Sequence, residues 1–130
     1  MKSILENKVY LFLICLLLGI LTSFSLPPYN LFFINFLTLP VLLHILVNYI
    51  DKKTISFFVG WVFGFGYFIS NLYWITNSLT FDVNFKFIIP FALILIPLFL
   101  GIFYGLATFL CNLFNLKNKI SSILIFSIFF

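Results

Sequence analysis

Four long apolar runs follow one another in this chain, at about residues 9–26, 31–50, 55–79 and 87–116, and none contains an Asp, Glu, Lys or Arg. That succession is the strongest constraint on the fold. Hydrocarbon about 30 Å thick takes roughly 20 apolar residues of helix to cross. A soluble domain needs a charged surface, and ten charged residues in 130 cannot cover one. Mean hydropathy of +1.25 agrees. Inside lipid every backbone N–H and C=O must be satisfied within its own segment, so each run reads as a helix. The alternating lipid-facing and lumen-facing pattern of a barrel is absent. The expected fold is all-α and polytopic: a membrane bundle of four full helices and a partial fifth at residues 120–130.

Orientation follows from the lysines. There is no Arg, and Lys2, Lys8, Lys52, Lys53, Lys117 and Lys119 fall on one side if the segments alternate. Only Lys86 falls on the other. The positive-inside rule therefore puts the N-terminus and residues 51–54 in the cytoplasm, and residues 80–86 outside. The net charge of +4 reads as topology and contact with anionic phospholipid, with no nucleic-acid partner. Lys2 and Lys8 before an apolar run also fit a signal peptide. The residues after the run offer only Ser-Phe-Ser as a cleavage site, so a retained helix is expected.

The segments are poor in reactive groups. Cys15 and Cys111 lie inside apolar runs without metal-ligand spacing, and read as small buried hydrophobes. His44, the single histidine, reads as packed or hydrogen-bonded between helices. Ion pathways through membranes usually carry ionisable residues, and hydrolytic or acyl-transfer sites need acids and bases. No catalytic residue, metal site or cofactor is expected.

What the residues do supply is packing and an aromatic rim. Ser56, Gly60 and Gly64 are four apart on one helical face, and Gly101 and Gly105 repeat the spacing. Such small faces let helix backbones approach closely. Pro90 should fall in a first helical turn, whereas Pro97 should kink its helix. The stretch FGFGYFISNLYWITNSL, residues 63–79, ends in polar and aromatic residues. With Tyr29 at the same level, Tyr73, Trp74 and Asn77 read as an aromatic belt or as a shallow surface facing lipid or substrate.

The ordered set of motifs resembles a known family. "GILTSFSLPPYNLFFINFLTLPVLLHIL" followed by "GWVFGFGYFISNLYWITNSL" is similar to the N-terminal membrane region of apolipoprotein N-acyltransferases. Residues 25–30 match that family's Pro-(Tyr/Phe)-Asn turn. Gly60, Gly64, Gly66, Tyr73, Trp74, Ile75, Ser78 and Leu79 match its third helix, and "PLFLGIFYGLATFL" looks like its fourth. The resemblance implies a bacterial inner-membrane enzyme that moves an acyl chain from phospholipid to the N-terminal Cys of an apolipoprotein. It also implies a Glu-Lys-Cys triad in a nitrilase-like domain that has no counterpart in these 130 residues. The expectation is therefore a truncated membrane portion, inactive alone, whose partners are phospholipid, apolipoprotein and a separately encoded remainder. The alternative is a small non-enzymatic membrane protein that scaffolds or binds lipid.

Overall fold

The computed structural model describes residues 7–27, 29–50, 52–72, 89–113, 123 and 126–128. The chain is all-α. Four helices are described: α1 (Lys8–Ser23), α2 (Asn35–Tyr49), α3 (Lys53–Asn71) and α4 (Ile89–Leu113). A 3-10 turn, Phe32–Ile34, leads into α2. Phe32–Tyr49, Lys53–Asn71 and Ile89–Leu113 are each long and apolar enough to cross a membrane, and α1 is apolar but shorter.

Local chemistry sets the ends. The Asn7 side chain accepts from the Val9 amide at 3.2 Å and caps α1. α1 stops at Ser23, three residues before the expected Leu26. The amides of Phe24, Ser25 and Leu26 bond to the carbonyls of Leu21, Thr22 and Ser23, so the last turn tightens into i→i−3 bonds. Pro27 enforces this, because the residue before a proline is pushed out of helical geometry. α2 ends where Ile50 turns extended, and α3 starts two residues earlier than expected, at Lys53. The expected stretches 73–79, 87–88 and 114–116 lie outside the described residues. Of the partial fifth segment, Ile123 and residues 126–128 are described, and they are helical. Pro90 is the second residue of α4, where no intrahelical N–H is missed, and the helix continues through a buried Pro97. Pro40 lies inside α2, a position the apolar pattern did not mark as special.

α3 is the central helix, and glycines set its distance to both neighbours. A Cβ on Gly60 would run into the Thr108 hydroxyl and lie 2.5 Å from the Tyr104 carbonyl. One on Gly64 would lie 3.0 Å from the Gly101 Cα, and one on Gly105 3.0 Å from the Phe57 carbonyl. These pairings run antiparallel, α3 against α4. On the opposite side, a Cβ on Gly19 would collide with the Phe63 carbonyl, and one on Gly66 would lie 2.5 Å from the Leu16 carbonyl. There α1 and α3 run parallel.

Because the backbones are close, short polar side chains reach across. Ser56 Oγ donates to the Thr108 carbonyl and Thr108 Oγ1 to the Ser56 carbonyl, both at 2.8 Å and fully buried. Trp61 Nε1 donates to the Leu98 carbonyl at 2.8 Å. Thr22 Oγ1 meets Thr38 Oγ1 at 2.9 Å between α1 and α2. Around these bonds sits the core: Leu11, Cys15 and Leu18, Leu42, Ile45 and Leu46, Val59 and Phe63, then Cys111 and Phe126. Both cysteines are free thiols inside it. His44 corrects the expectation of an interhelical bond. It is exposed, and its 3.0 Å partner is Asn48, one turn along the same helix.

Candidate functional site

Backbone hydrogen bonds tie the residues after Pro27 back to the end of α1. Asn30 donates its amide to the Leu26 carbonyl at 3.2 Å, and Leu31 donates to the Phe24 carbonyl at 3.1 Å. Closing that loop puts Asn30 at φ 53°, a left-handed conformation that Asn tolerates better than most side chains. The Tyr29 ring stands edge-on to Phe24 with centroids 5.0 Å apart, and Tyr29 is exposed. The turn is therefore a fixed lip at the end of α1.

The end of α3 lies against this lip. Tyr67, Phe68, Asn71 and Leu72 join Leu26 and Pro27 around an open hollow of about 340 Å³. Asn71 holds its amide by donating Nδ2 to the Tyr67 carbonyl one turn back, at 3.0 Å. Tyr67 and Phe68 are fixed through rings: Tyr104 of α4 lies 5.7 Å from Tyr67, 5.6 Å from Phe68 and 5.7 Å from Phe63. Two of these contacts are tilted and the one to Phe68 is edge-on, and ring contacts of this kind add to burial and hold orientation. The result is an apolar hollow with a phenol and an amide on its wall, at the end of two membrane helices.

Such a hollow suits an acyl chain whose polar head stays at the interface. Among the described residues its lining has no carboxyl, imidazole, amine or thiol group, and no three of His, Cys, Asp and Glu gather as metal ligands would. Cys15 and Cys111 are sealed in the helix core, away from this hollow.

The expected lipid-facing set is only partly on view. Tyr29 is on the lip, beside the hollow rather than in its lining. Tyr73, Trp74 and Asn77 lie outside the described residues. Ser56, Gly60, Gly64, Gly101 and Gly105 line the α3–α4 contact, not the hollow. Sequence reasoning missed Tyr67, Leu26 and Pro27 as lining residues, and treated Asn71 only as part of a polar end. One signal was present: Tyr67 and Asn71 are four apart, one turn of the same face, and share their level with the Pro27 turn.

Comparison with known proteins gives these residues a context. Residues 18–130 match the family model of the apolipoprotein N-acyltransferase N-terminal domain. An apolipoprotein N-acyltransferase of Rhizobium rhizogenes is 33% identical over 110 residues, covering 78% of this chain and 21% of the relative. One from Brucella melitensis is 32% identical over 121 residues, covering 86% and 23%, and one from Rhizobium etli 34% over 105 residues, covering 74% and 20%. The chain thus spans about a fifth of the length of the curated relatives it matches. With the turn, the glycine faces and the apolar hollow all inside the matched region, the chain belongs to the apolipoprotein N-acyltransferase N-terminal domain family.

Proposed function

We propose that this chain is the membrane portion of an apolipoprotein N-acyltransferase, which moves an acyl chain from phospholipid to the N-terminal Cys amine of an apolipoprotein. The family match over residues 18–130 carries the reading. The hollow between Leu26, Pro27, Tyr67 and Asn71 supports it, because its apolar walls suit the donor's chain and its amide and phenol suit the ester end. Tyr29 borders the same end, and by sequence Tyr73, Trp74 and Asn77 are further candidates for contact with lipid or substrate. The protein sits in the bacterial inner membrane with its N-terminus in the cytoplasm, as the lysine bias asks. The hollow then opens towards the periplasm, where lipoproteins are matured.

The 130 residues alone do not carry out the transfer. Acyl transfer to an amine needs a nucleophile, a base and donors for the developing oxyanion in one place. Here the thiols are buried in the core and the imidazole lies on the outside of α2. Catalysis therefore depends on a nitrilase-like domain supplied by the rest of the enzyme, with this region holding lipid beneath it. The test is mass spectrometry of a diacylglyceryl-Cys peptide incubated in phospholipid vesicles with this chain, alone or with the remainder of a relative co-expressed as a second chain. Acylation is expected only with both. An added acyl chain from the 130 residues alone overturns the inactive reading. No product from the pair, where the intact relative gives product, favours a lipid-binding scaffold.

A further inference from the structure

The other end of α3 carries a second apolar hollow, of about 220 Å³, between α3 and α4. It is lined by Thr54, Phe57, Phe58, Leu106 and Phe109. These α3 residues lie in its first turns, whereas Tyr67 and Asn71 lie in its last. The two hollows are therefore about 20 Å apart along one helix, near opposite faces of the membrane. Close packing fixes the walls of this one. The Phe57 ring lies on Gly105, where a Cβ would stand 2.9 Å from Phe57 Cε2. Phe58 is edge-on to Phe57, with centroids 5.7 Å apart, and tilted against Trp61 at 6.0 Å. The reciprocal Ser56–Thr108 bonds hold the two backbones together at this level. A notch that is already formed loses little entropy when it is filled.

Positive charge stands at the head of this notch. Lys53 and Thr54 come four residues before Phe57 and Phe58, so they top the two columns of side chains that form its α3 wall. Lys52 and Lys53 are both exposed. No side chain caps α3 at Lys52, and the first-turn amides of a helix add to the positive potential there. Lys8 differs: it begins a helix that the Asn7 side chain caps. In sequence, Asp51 is the one acid beside Lys52 and Lys53, and Lys117 and Lys119 follow α4. The turn keeps a net positive charge. An apolar slot headed by such charge is complementary to a lipid with an anionic head.

We infer that this hollow holds an acyl chain of an anionic glycerophospholipid, with the chain between Phe58 and Leu106 and the phosphate paired with Lys53. On the lysine-based topology the lipid comes from the cytoplasmic leaflet. It is distinct from any lipid in the Tyr67–Asn71 hollow. Its binding does not depend on acyl transfer, so it stands or falls apart from the function proposed above.

The chain is purified in mild detergent, delipidated and given phosphatidylglycerol and phosphatidylcholine with identical acyl chains in competition. Bound lipid is counted by native mass spectrometry. One site that prefers phosphatidylglycerol about fivefold is expected, since each lysine near an anionic head is worth roughly that factor and Asp51 offsets one of the two. Lys53→Gln should remove the preference, and Lys8→Gln should leave it. Leu106→Trp, which fills the hollow, should abolish the selective site, whereas Leu95→Trp, at an exposed position of the same helix, should not. The lysine variants leave the apolar packing untouched, so they keep the test decisive even if Leu106→Trp fails to fold. Equal retention of the two lipids by the wild type, or no retained lipid, overturns the inference. An equal loss in Lys8→Gln and Lys53→Gln does so too, because it marks general attraction to a basic surface. A selective site that survives in a folded Leu106→Trp overturns the role of the hollow. Displacement of the lipid by inorganic phosphate at matched ionic strength overturns it as well, since the site then holds an anion without a chain.

Discussion

Replacing Gly60 by Ala adds one methyl group at the tightest point of the α3–α4 contact. The new Cβ would meet the Thr108 hydroxyl and would sit 2.5 Å from the Tyr104 carbonyl and 2.7 Å from Thr108 Cγ2. Thr108 can rotate away, but only by leaving the Ser56 carbonyl, and the Tyr104 carbonyl is backbone. The helices must therefore separate, and the paired Ser56–Thr108 bonds, both 2.8 Å, lengthen with them. Overpacking of this kind costs about 1–3 kcal/mol. Two interhelical hydrogen bonds in a membrane add roughly 1 kcal/mol. Ala is the better helix former by up to about 1 kcal/mol, which offsets part of this. The net expectation is a loss of about 1–3 kcal/mol.

The measurement is reversible unfolding in mixed micelles of a mild detergent and dodecyl sulfate, followed by tryptophan fluorescence. Trp61 reports on this contact directly, since its indole bonds to the Leu98 carbonyl of α4. In a Thr108→Ala background the cost of Gly60→Ala should shrink without vanishing, because the side-chain clash is relieved and the backbone clash is not. A Gly60→Ala protein within about 0.5 kcal/mol of wild type, the range of an ordinary surface change, would refute the close-approach argument.

Gly64→Leu and Gly105→Leu should each lower the unfolding midpoint far more than Leu95→Phe, whose side chain is 59% exposed; equal midpoints for all three discard the small-face packing. Thr22→Val and Thr38→Val should each cost about 1 kcal/mol, and a double-mutant cycle should show coupling from their 2.9 Å hydroxyl bond; strict additivity would mean the bond contributes nothing. Reporter fusions after Lys53 and after Asn84 should read cytoplasmic and periplasmic respectively, and periplasmic activity from the Lys53 fusion contradicts the lysine-based topology.

The helices were legible because lipid leaves a chain little choice. Apolar length alone marked α2, α3 and α4 as helices, and Lys52 and Lys53 marked the turn between α2 and α3. Ends set by local hydrogen bonding were harder. Leu26 is as apolar as anything in α1, and only the pull of Pro27 on the residue before it explains why the helix tightens and stops at Ser23. The α3–α4 contact announced itself in the four-residue spacing of small residues. The α1–α3 contact did not, because Gly19 is alone on its helix and Gly66 breaks the spacing of Gly60 and Gly64. The hollow was invisible for another reason: it is built from a turn and a helix end 40 residues apart, and no local pattern encodes that proximity. Thr108 and Trp61 could not be read at all as bridging residues, since in sequence a Thr or Trp in an apolar run is indistinguishable from a filler.

The arrangement of glycines ties the packing to the site. Gly64 and Gly66 are two residues apart, about 200° around a helix, so they point to nearly opposite sides of α3. Gly64 takes the backbone of α4 and Gly66 that of α1, and both do so within one turn. The next residues along α3 are Tyr67 and Phe68, which Tyr104 contacts, and Asn71, which lines the hollow. A helix clamped on two sides by backbone contact cannot easily slide or rotate, because either motion drives a Cα into a carbonyl. Asn30 and Leu31 are held to the end of α1 by their backbone bonds to Leu26 and Phe24. Both walls of the hollow are thus fixed through one glycine-bearing turn, with no charged pair needed inside the membrane. An apolar bundle that must present a defined cavity to lipid has few other means. Ion pairs are costly there, whereas close backbone packing gains dispersion contact that lipid tails cannot match.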